Sequence, residues 1–495
     1  MEDLPAPPRH SVPPTTTSPT AGPAGSPPSA VTVGELRSSG HTHRSVRAEL
    51  RENLVALMRA GAVRFPGIVG FDETVLPQVE RAILAGHDIV FLGERGQGKT
   101  RLIRTLVNLL DEWSPAVAGC EINDHPYAPV CGRCRALAAE RGEDLPITWR
   151  HRGERFGEKL ATPDTSVGDL IGDVDPVKVA QGRTLGDPET VHYGLVPRTN
   201  RGIFSVNELP DLAERIQVSL LNVLEERDIQ VRGYLLRLPL DLLLVASANP
   251  EDYTNRGRII TPLKDRFGAE VRTHYPLVLA DELDLIRQEA VISWAGSALG
   301  APELADHLLE VVARFTRLVR DAPQVDQRSG VSARLAVAAA ETVAASAVRR
   351  AALTGEDTPT ARVVDLSSIV PAVRGKIEFD QLEEGREDEV LALLLRRAIA
   401  ETFRARLAGA DLTGLQNRFD SDGPVETGDL VPAAELLRRV GPVPGLAAIL
   451  NRLGVDGAES PGLAAAALEL AMEGLHLNRR LGKEELPGRT VYGGP

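Results

Sequence analysis

Between residues 67 and about 276, short apolar runs alternate with longer segments whose apolar residues recur every three or four positions. The runs are DIVFLG (88–93), IFSV (203–206), LLLVASA (242–248) and EVRTHY (270–275). Continuous apolar runs of this length suit strands buried on both faces. Their alternation with helical patterns predicts a mainly parallel sheet flanked by helices. A helical pattern at VRAELRENLVALMRAG (46–61) precedes this region. Beyond residue 278 the strand signal ceases. Helical patterns cover roughly 281–299, 302–320, 331–353 and 366–376, and EDEVLALLLRRAIAETFRARLAG (387–409) opens a further helical block.

These patterns divide the chain into five expected segments: a tail over 1–33, a helical segment over 34–66, an α/β core over 67–278, a small all-helical domain over 279–376, and a helical C-terminal region over 377–495. The tail is rich in Pro, Ser, Thr and Ala and has too little apolar surface to offset its chain entropy, so it is expected to be disordered. The closing PGRTVYGGP is expected to fray.

The run DIVFL leads into Gly93-Glu-Arg-Gly96-Gln-Gly98-Lys99-Thr100, a complete G-x-x-x-x-G-K-T, and an amphipathic helix carrying Leu102, Ile103, Leu106, Leu109 and Leu110 leaves it. Glycines at 93, 96 and 98 let backbone N–H groups turn inward around phosphate oxygens. Lys99 would contact the β and γ phosphates of ATP, and the Thr100 hydroxyl would ligate Mg2+. An ordinary Gly-rich turn is the bland alternative, but it does not call for all eight positions. Such a loop needs a second strand ending in acidic residues. Ile203-Phe-Ser-Val-Asn207-Glu208 supplies one, with Glu208 placed to polarise water and Asn207 where an aspartate is usual.

Composition narrows the function classes. A formal net charge of −13 argues against surface-wide attraction to nucleic acid or an anionic membrane. No apolar stretch reaches a membrane span, no signal-peptide pattern stands at the N-terminus, and three cysteines do not make a secreted disulfide framework, so the cytoplasm is the expected compartment. Those cysteines, Cys120, Cys131 and Cys134, fall within fifteen residues. Cys131-x-x-Cys134 has the spacing of a Zn2+ grip, with His125 or His151 as a fourth donor. A redox dithiol and unligated thiols remain alternatives.

Around these motifs the chain resembles AAA+ ATPases of the magnesium-chelatase I-subunit and MoxR-like type, over roughly residues 67–376. The resemblance includes Asp169–Asp175 and Gly194–Gly202 before the acidic strand, and after it a helix over 211–226 and a hairpin over 229–238 turning near Arg232-Gly233. It implies a P-loop AAA+ core with a helical lid and a further helical C-terminal region. It also implies that Asn249, after LLLVASA, senses the γ-phosphate, and that Arg266, or secondly Arg258, is an arginine finger. Arg334 then corresponds to a second sensor in the lid. A ring, expected to be a hexamer, would hydrolyse ATP to remodel a partner protein, and partners in this family often carry an integrin-like metal-binding domain. The narrower alternative is the ATPase subunit of a magnesium or cobalt chelatase for tetrapyrroles. Asn207 keeps open a third, a nucleotide-binding regulator with weak hydrolysis. A nucleic-acid motor is disfavoured.

Overall fold

The computed structural model describes residues 25–174, 180, 191–225, 229–231, 234–236, 238–249, 258–292, 299–326, 329–455, 460–486 and 488–494. Most of the expected tail, Asp175 and the hairpin turn at Arg232-Gly233 therefore lie outside the described residues. The chain divides into two compact units, the boundary falling between Tyr275 and Pro276.

The first unit contains strands β1 (Ile89–Leu92), β2 (Trp113–Val117), β3 (Ile147–His151), β4 (Phe156–Leu160), β5 (Gly172–Val174), β6 (Val191–Tyr193), β7 (Ile203–Asn207), β8 (Ile229–Val231), β9 (Tyr234–Leu236), β10 (Leu243–Ala248) and β11 (Ala269–Arg272). Five of them form one parallel sheet in the order β11-β1-β10-β7-β4. The other strands of this unit form three antiparallel pairs, β2-β3, β5-β6 and β8-β9.

The apolar runs become central strands because successive side chains serve opposite cores. Ile89, Phe91, Ile203, Leu243 and Val245 join one core, with Leu50 and Leu54 from helix Val46–Arg59, Val79 and Ile83 from helix Leu76–Ala85, and Leu102 and Ile103 from helix Lys99–Thr105. Val90, Leu92, Phe204, Val206, Leu244 and Ala246 join the other, with Ile216 and Leu220 from helix Glu214–Glu225. Among the described residues the edge strand β4 pairs with one neighbour, and its sequence FGEKL is correspondingly half polar. A buried ion pair fixes helix Val46–Arg59 beside it: both terminal nitrogens of Arg155 lie 2.7 Å from the Glu49 carboxylate. Removing one partner would leave an uncompensated buried charge, at a cost of about 3–5 kcal/mol.

Residues 25–33 belong to this unit and are not part of a loose tail. Thr32 bridges to Pro146, Ala30 is buried, and the Trp149 indole donates to its carbonyl at 2.8 Å.

In the second unit, helices Leu279–Glu289, Asp306–Arg320, Arg334–Thr354, Glu387–Arg406 and Pro461–Leu477 contribute to one continuous apolar core. Arg362, fully buried, donates to Glu469 at 2.6 Å, to Thr427 at 2.8 Å and to the Val431 carbonyl at 2.7 Å. Segments 279–376 and 377–495 are thus welded together across residue 376. The C-terminal region is not wholly helical either. Strands β12 (Val425–Gly428), β13 (Gly482–Leu486) and β14 (Arg489–Gly493) form a three-stranded antiparallel sheet in the order β12-β14-β13. Residues 489–493 of the closing segment do not fray, since β14 pairs on both sides and buries Tyr492. Among the described residues no helix is long and apolar enough to cross a membrane.

Candidate functional site

The sheet order decides the site's layout. β10 separates β1 from β7, and parallel pairing brings the carboxyl ends of all three to one edge. The glycine-rich loop leaves β1, Asn249 follows β10, and Asn207-Glu208 closes β7.

Gly96 and Gly98 adopt positive φ, 73° and 78°, as a loop folding its N–H groups inward requires. Gly93 has no room for a side chain: a Cβ there would stand 2.0 Å from Thr273 Oγ1 and 2.3 Å from Gln97 Oε1. Those two groups bond to each other at 2.8 Å, and Gln97 Oε1 also accepts from the Glu94 N–H. The Tyr275 hydroxyl donates to the Arg95 carbonyl at 2.7 Å. Residues following β11 therefore brace the loop, which local sequence gave no sign of. Lys99 is buried at the helix start, its ammonium donating to the carbonyls of Gly93 and Glu94. Thr100, half-buried, is the second residue of the same helix.

Alternate positions of β7 and β10 project to the face covered by that helix, so Asn207 and Ser247 share it with Ile203 and Val245. The Ser247 hydroxyl donates to Asn207 Oδ1 and accepts from the Glu208 N–H, both at 3.3 Å. The Asn207 amide donates to Glu158 Oε1 on β4 at 2.5 Å. Arg104, on the loop's helix, reaches the other Glu158 oxygen at 2.9 Å. Glu158 is the residue that sequence reasoning missed. It places a carboxylate directly beside the amide that stands where an acidic side chain is usual. Glu208 sits at φ 54°, a left-handed conformation that a side chain adopts at a cost of about 1–2 kcal/mol. Such strain is concentrated where a functional group must be aimed.

Asn249 is buried just beyond β10. Arg266 ends helix Thr261–Arg266, half-exposed, and pairs with Glu225 at 2.7 Å. Arg258 is exposed, its carbonyl accepting from Gln217. Arg334 opens helix Arg334–Thr354 of the second unit with its side chain exposed.

Cys120, Cys131 and Cys134 come together as buried free thiols, but neither histidine joins them. The side chain that stands beside the three thiols is Asp124. His125 instead bonds His41 at 3.3 Å and accepts from the Tyr127 N–H, while His151 caps the following turn through the Gly153 N–H and lies against Trp113. The hydrogen bonds Cys120 receives from Cys131 and Cys134 hold its thiol well below the usual range, and donation to Cys120 pushes both partners up. Burial, then the charge on Cys120, raises Asp124.

No protein-family model matches the chain. Among curated proteins it is similar to the chloroplastic magnesium-chelatase subunit ChlI-2 of Arabidopsis thaliana, 29% identical over 41% of this chain and 47% of that protein. The magnesium-chelatase subunit ChlI of Nostoc is 28% identical over 46% and 58% respectively. The chloroplastic subunit ChlI of Oryza sativa subsp. indica is 27% identical over 64% and 77%. The chain thus spans about half the length of the first curated relatives it matches. Among solved structures, a complex of the magnesium-chelatase subunits BchI and BchD aligns with TM-score 0.34 at 22% identity, over 66% of this chain and 98% of that one. The Thermotoga maritima RuvB Holliday junction branch migration motor aligns with TM-score 0.32 at 13% identity, over 90% of each chain. The sequence relatives carry the resemblance to AAA+ ATPases of the magnesium-chelatase I-subunit type.

Proposed function

We propose that this chain, similar to the AAA+ magnesium-chelatase I subunits, binds and hydrolyses ATP as one member of a ring that remodels a partner protein. The observation carrying this reading is the convergence of three strand ends: the G-x-x-x-x-G-K-T loop after β1, Asn249 after β10, and Asn207-Glu208 after β7. In this reading the loop's N–H groups and Lys99 hold the β and γ phosphates, Glu208 orients and deprotonates the attacking water, and Asn249 bonds that water or the γ-phosphate. The oxygen donors of Thr100 and of the Asn207–Glu208 strand end suit Mg2+, which when bound neutralises phosphate charge. Glu158 supplies, from the neighbouring strand, the negative charge that Asn207 lacks. Arg266 serves the neighbouring subunit and Arg334 reports nucleotide state to the helical region.

The ring is taken to be a hexamer in the cytoplasm, with a partner carrying an integrin-like metal-binding domain. The names of the relatives favour the narrower reading of a chelatase ATPase subunit. Phosphate release tests the proposal. Lys99→Ala is expected to lose ATP binding, and Glu208→Gln to bind ATP but turn over at least about a hundredfold more slowly. Parent-rate hydrolysis by Glu208→Gln would remove the acidic-strand assignment. Tight Mg-ATP binding with no turnover by the parent would favour a nucleotide-dependent regulator.

A further inference from the structure

We propose that Cys120, Cys131, Cys134 and Asp124 form a closed tetrahedral zinc site that clamps the insertion following the loop's helix. Their four donor atoms lie within 4.8 Å of one another, and all four residues are buried. With Zn–S near 2.3 Å, tetrahedral geometry separates sulfurs by about 3.8 Å, so one ion fits among these donors with small adjustments. Multi-iron clusters spread their thiolates farther apart.

Asp124 carries the argument beyond cysteine spacing. The residue is fully buried; Oδ2 accepts from the Val130 and Cys131 N–H groups at 3.1 and 2.9 Å, while Oδ1 has no hydrogen-bond partner among the described residues. An unsatisfied buried carboxylate oxygen costs free energy, and a cation held jointly with three sulfurs would satisfy it. The sulfurs are prepared for the same role. The Asp124 N–H donates to Cys120 Sγ and the Cys134 N–H to Cys131 Sγ, each at 3.3 Å, contacts that stabilise thiolates. Metal uptake would release the thiol protons to solvent. A disulfide between two of these cysteines would leave the third thiol and Oδ1 unanswered.

The clamp's place in the fold suggests its consequence. Cys120 follows β2, whereas Cys131 and Cys134 begin helix Gly132–Arg141. The loop between them is tied to the segment that feeds β7: Asn200 donates to the Ile122 carbonyl at 3.0 Å and Asn123 to the Arg198 carbonyl at 2.7 Å. With every donor buried, the site has no open position for substrate, so its role is structural.

The test uses the full chain purified without a histidine tag. Elemental analysis should find about one zinc per chain, and the three thiols should stay unreactive until a strong chelator is added. Stripped protein should take up Co2+ and show the visible bands of tetrahedral thiolate coordination. The near-isosteric Asp124→Asn should weaken zinc at least about tenfold, and Cys131→Ser should abolish it. Metal-free parent protein that titrates three free thiols and takes up no cobalt would overturn the proposal. A disulfide, or iron with inorganic sulfide, would overturn it equally. Unchanged zinc affinity in Asp124→Asn would remove Asp124 from the ligand set.

Discussion

Replacing Asn207 by Asp restores the acidic residue usual at the end of the β7-type strand, yet the structure predicts a cost. The Asn207 amide now donates to Glu158 at 2.5 Å. An aspartate would remove that donor and bring a second carboxylate against the first. Unit charges about 4 Å apart, at an effective dielectric near 20, repel by about 4 kcal/mol. Glu158 is partly solvated and paired with Arg104, so roughly 1–2 kcal/mol should survive. For a unit of this size, that lowers Tm by about 2–8 °C in nucleotide-free protein. Mg2+ with ATP should recover part of the loss. The double variant Asn207→Asp/Glu158→Gln should recover most of it without nucleotide, because the Gln amide can then donate to the new carboxylate. Thermal denaturation of parent, both single variants and the double variant forms a closed cycle. If Asn207→Asp melts with the parent, or the coupling is under about 0.5 kcal/mol, Glu158 is not the local charge at this strand end.

If Arg266 completes a neighbour's site, Arg266→Ala and Lys99→Ala proteins should each be inactive alone and regain part of the activity when mixed, since one keeps the loop and the other the arginine. The Glu225 pair that Arg266 must surrender is half-exposed and worth at most about 1 kcal/mol, so it is no obstacle; concentration-independent turnover by a monomer would refute the assignment. His307 is buried, and burial followed by the Arg406 charge lowers its pKa to about 4. The unfolded state then binds the proton more readily, so this residue's contribution to stability is intact above about pH 6.5 and falls as pH drops toward 4, by about 3 kcal/mol in all. Denaturant titrations of parent and His307→Gln should diverge in that window and run parallel above it.

What could be read along the chain follows from how each feature is encoded. The Gly93–Thr100 loop is legible because its eight positions are contiguous and its strand and helix flank it directly. Asn207, Glu208 and Asn249 are legible because each ends a run buried on both faces. Glu158 is not: β4 is an edge strand with a half-polar sequence, and the contact with Asn207 forms only when β4 and β7 pair. Strands β12 to β14 escaped for the same reason. VETG, GKEEL and RTVYG are short and polar, and Tyr492 gains its burial beside helix Pro461–Leu477, where Glu473 accepts a hydrogen bond from its hydroxyl. The carboxylate beside the cysteines shows the limit most sharply. Asp124 and His125 are adjacent, and histidine is the commoner partner of zinc thiolates. The turn that lets Asp124 accept from Val130 and Cys131 brings its carboxylate beside the sulfurs and leaves His125 to His41. Backbone direction, set by hydrogen bonds six and seven residues away, overrides what residue type alone would select.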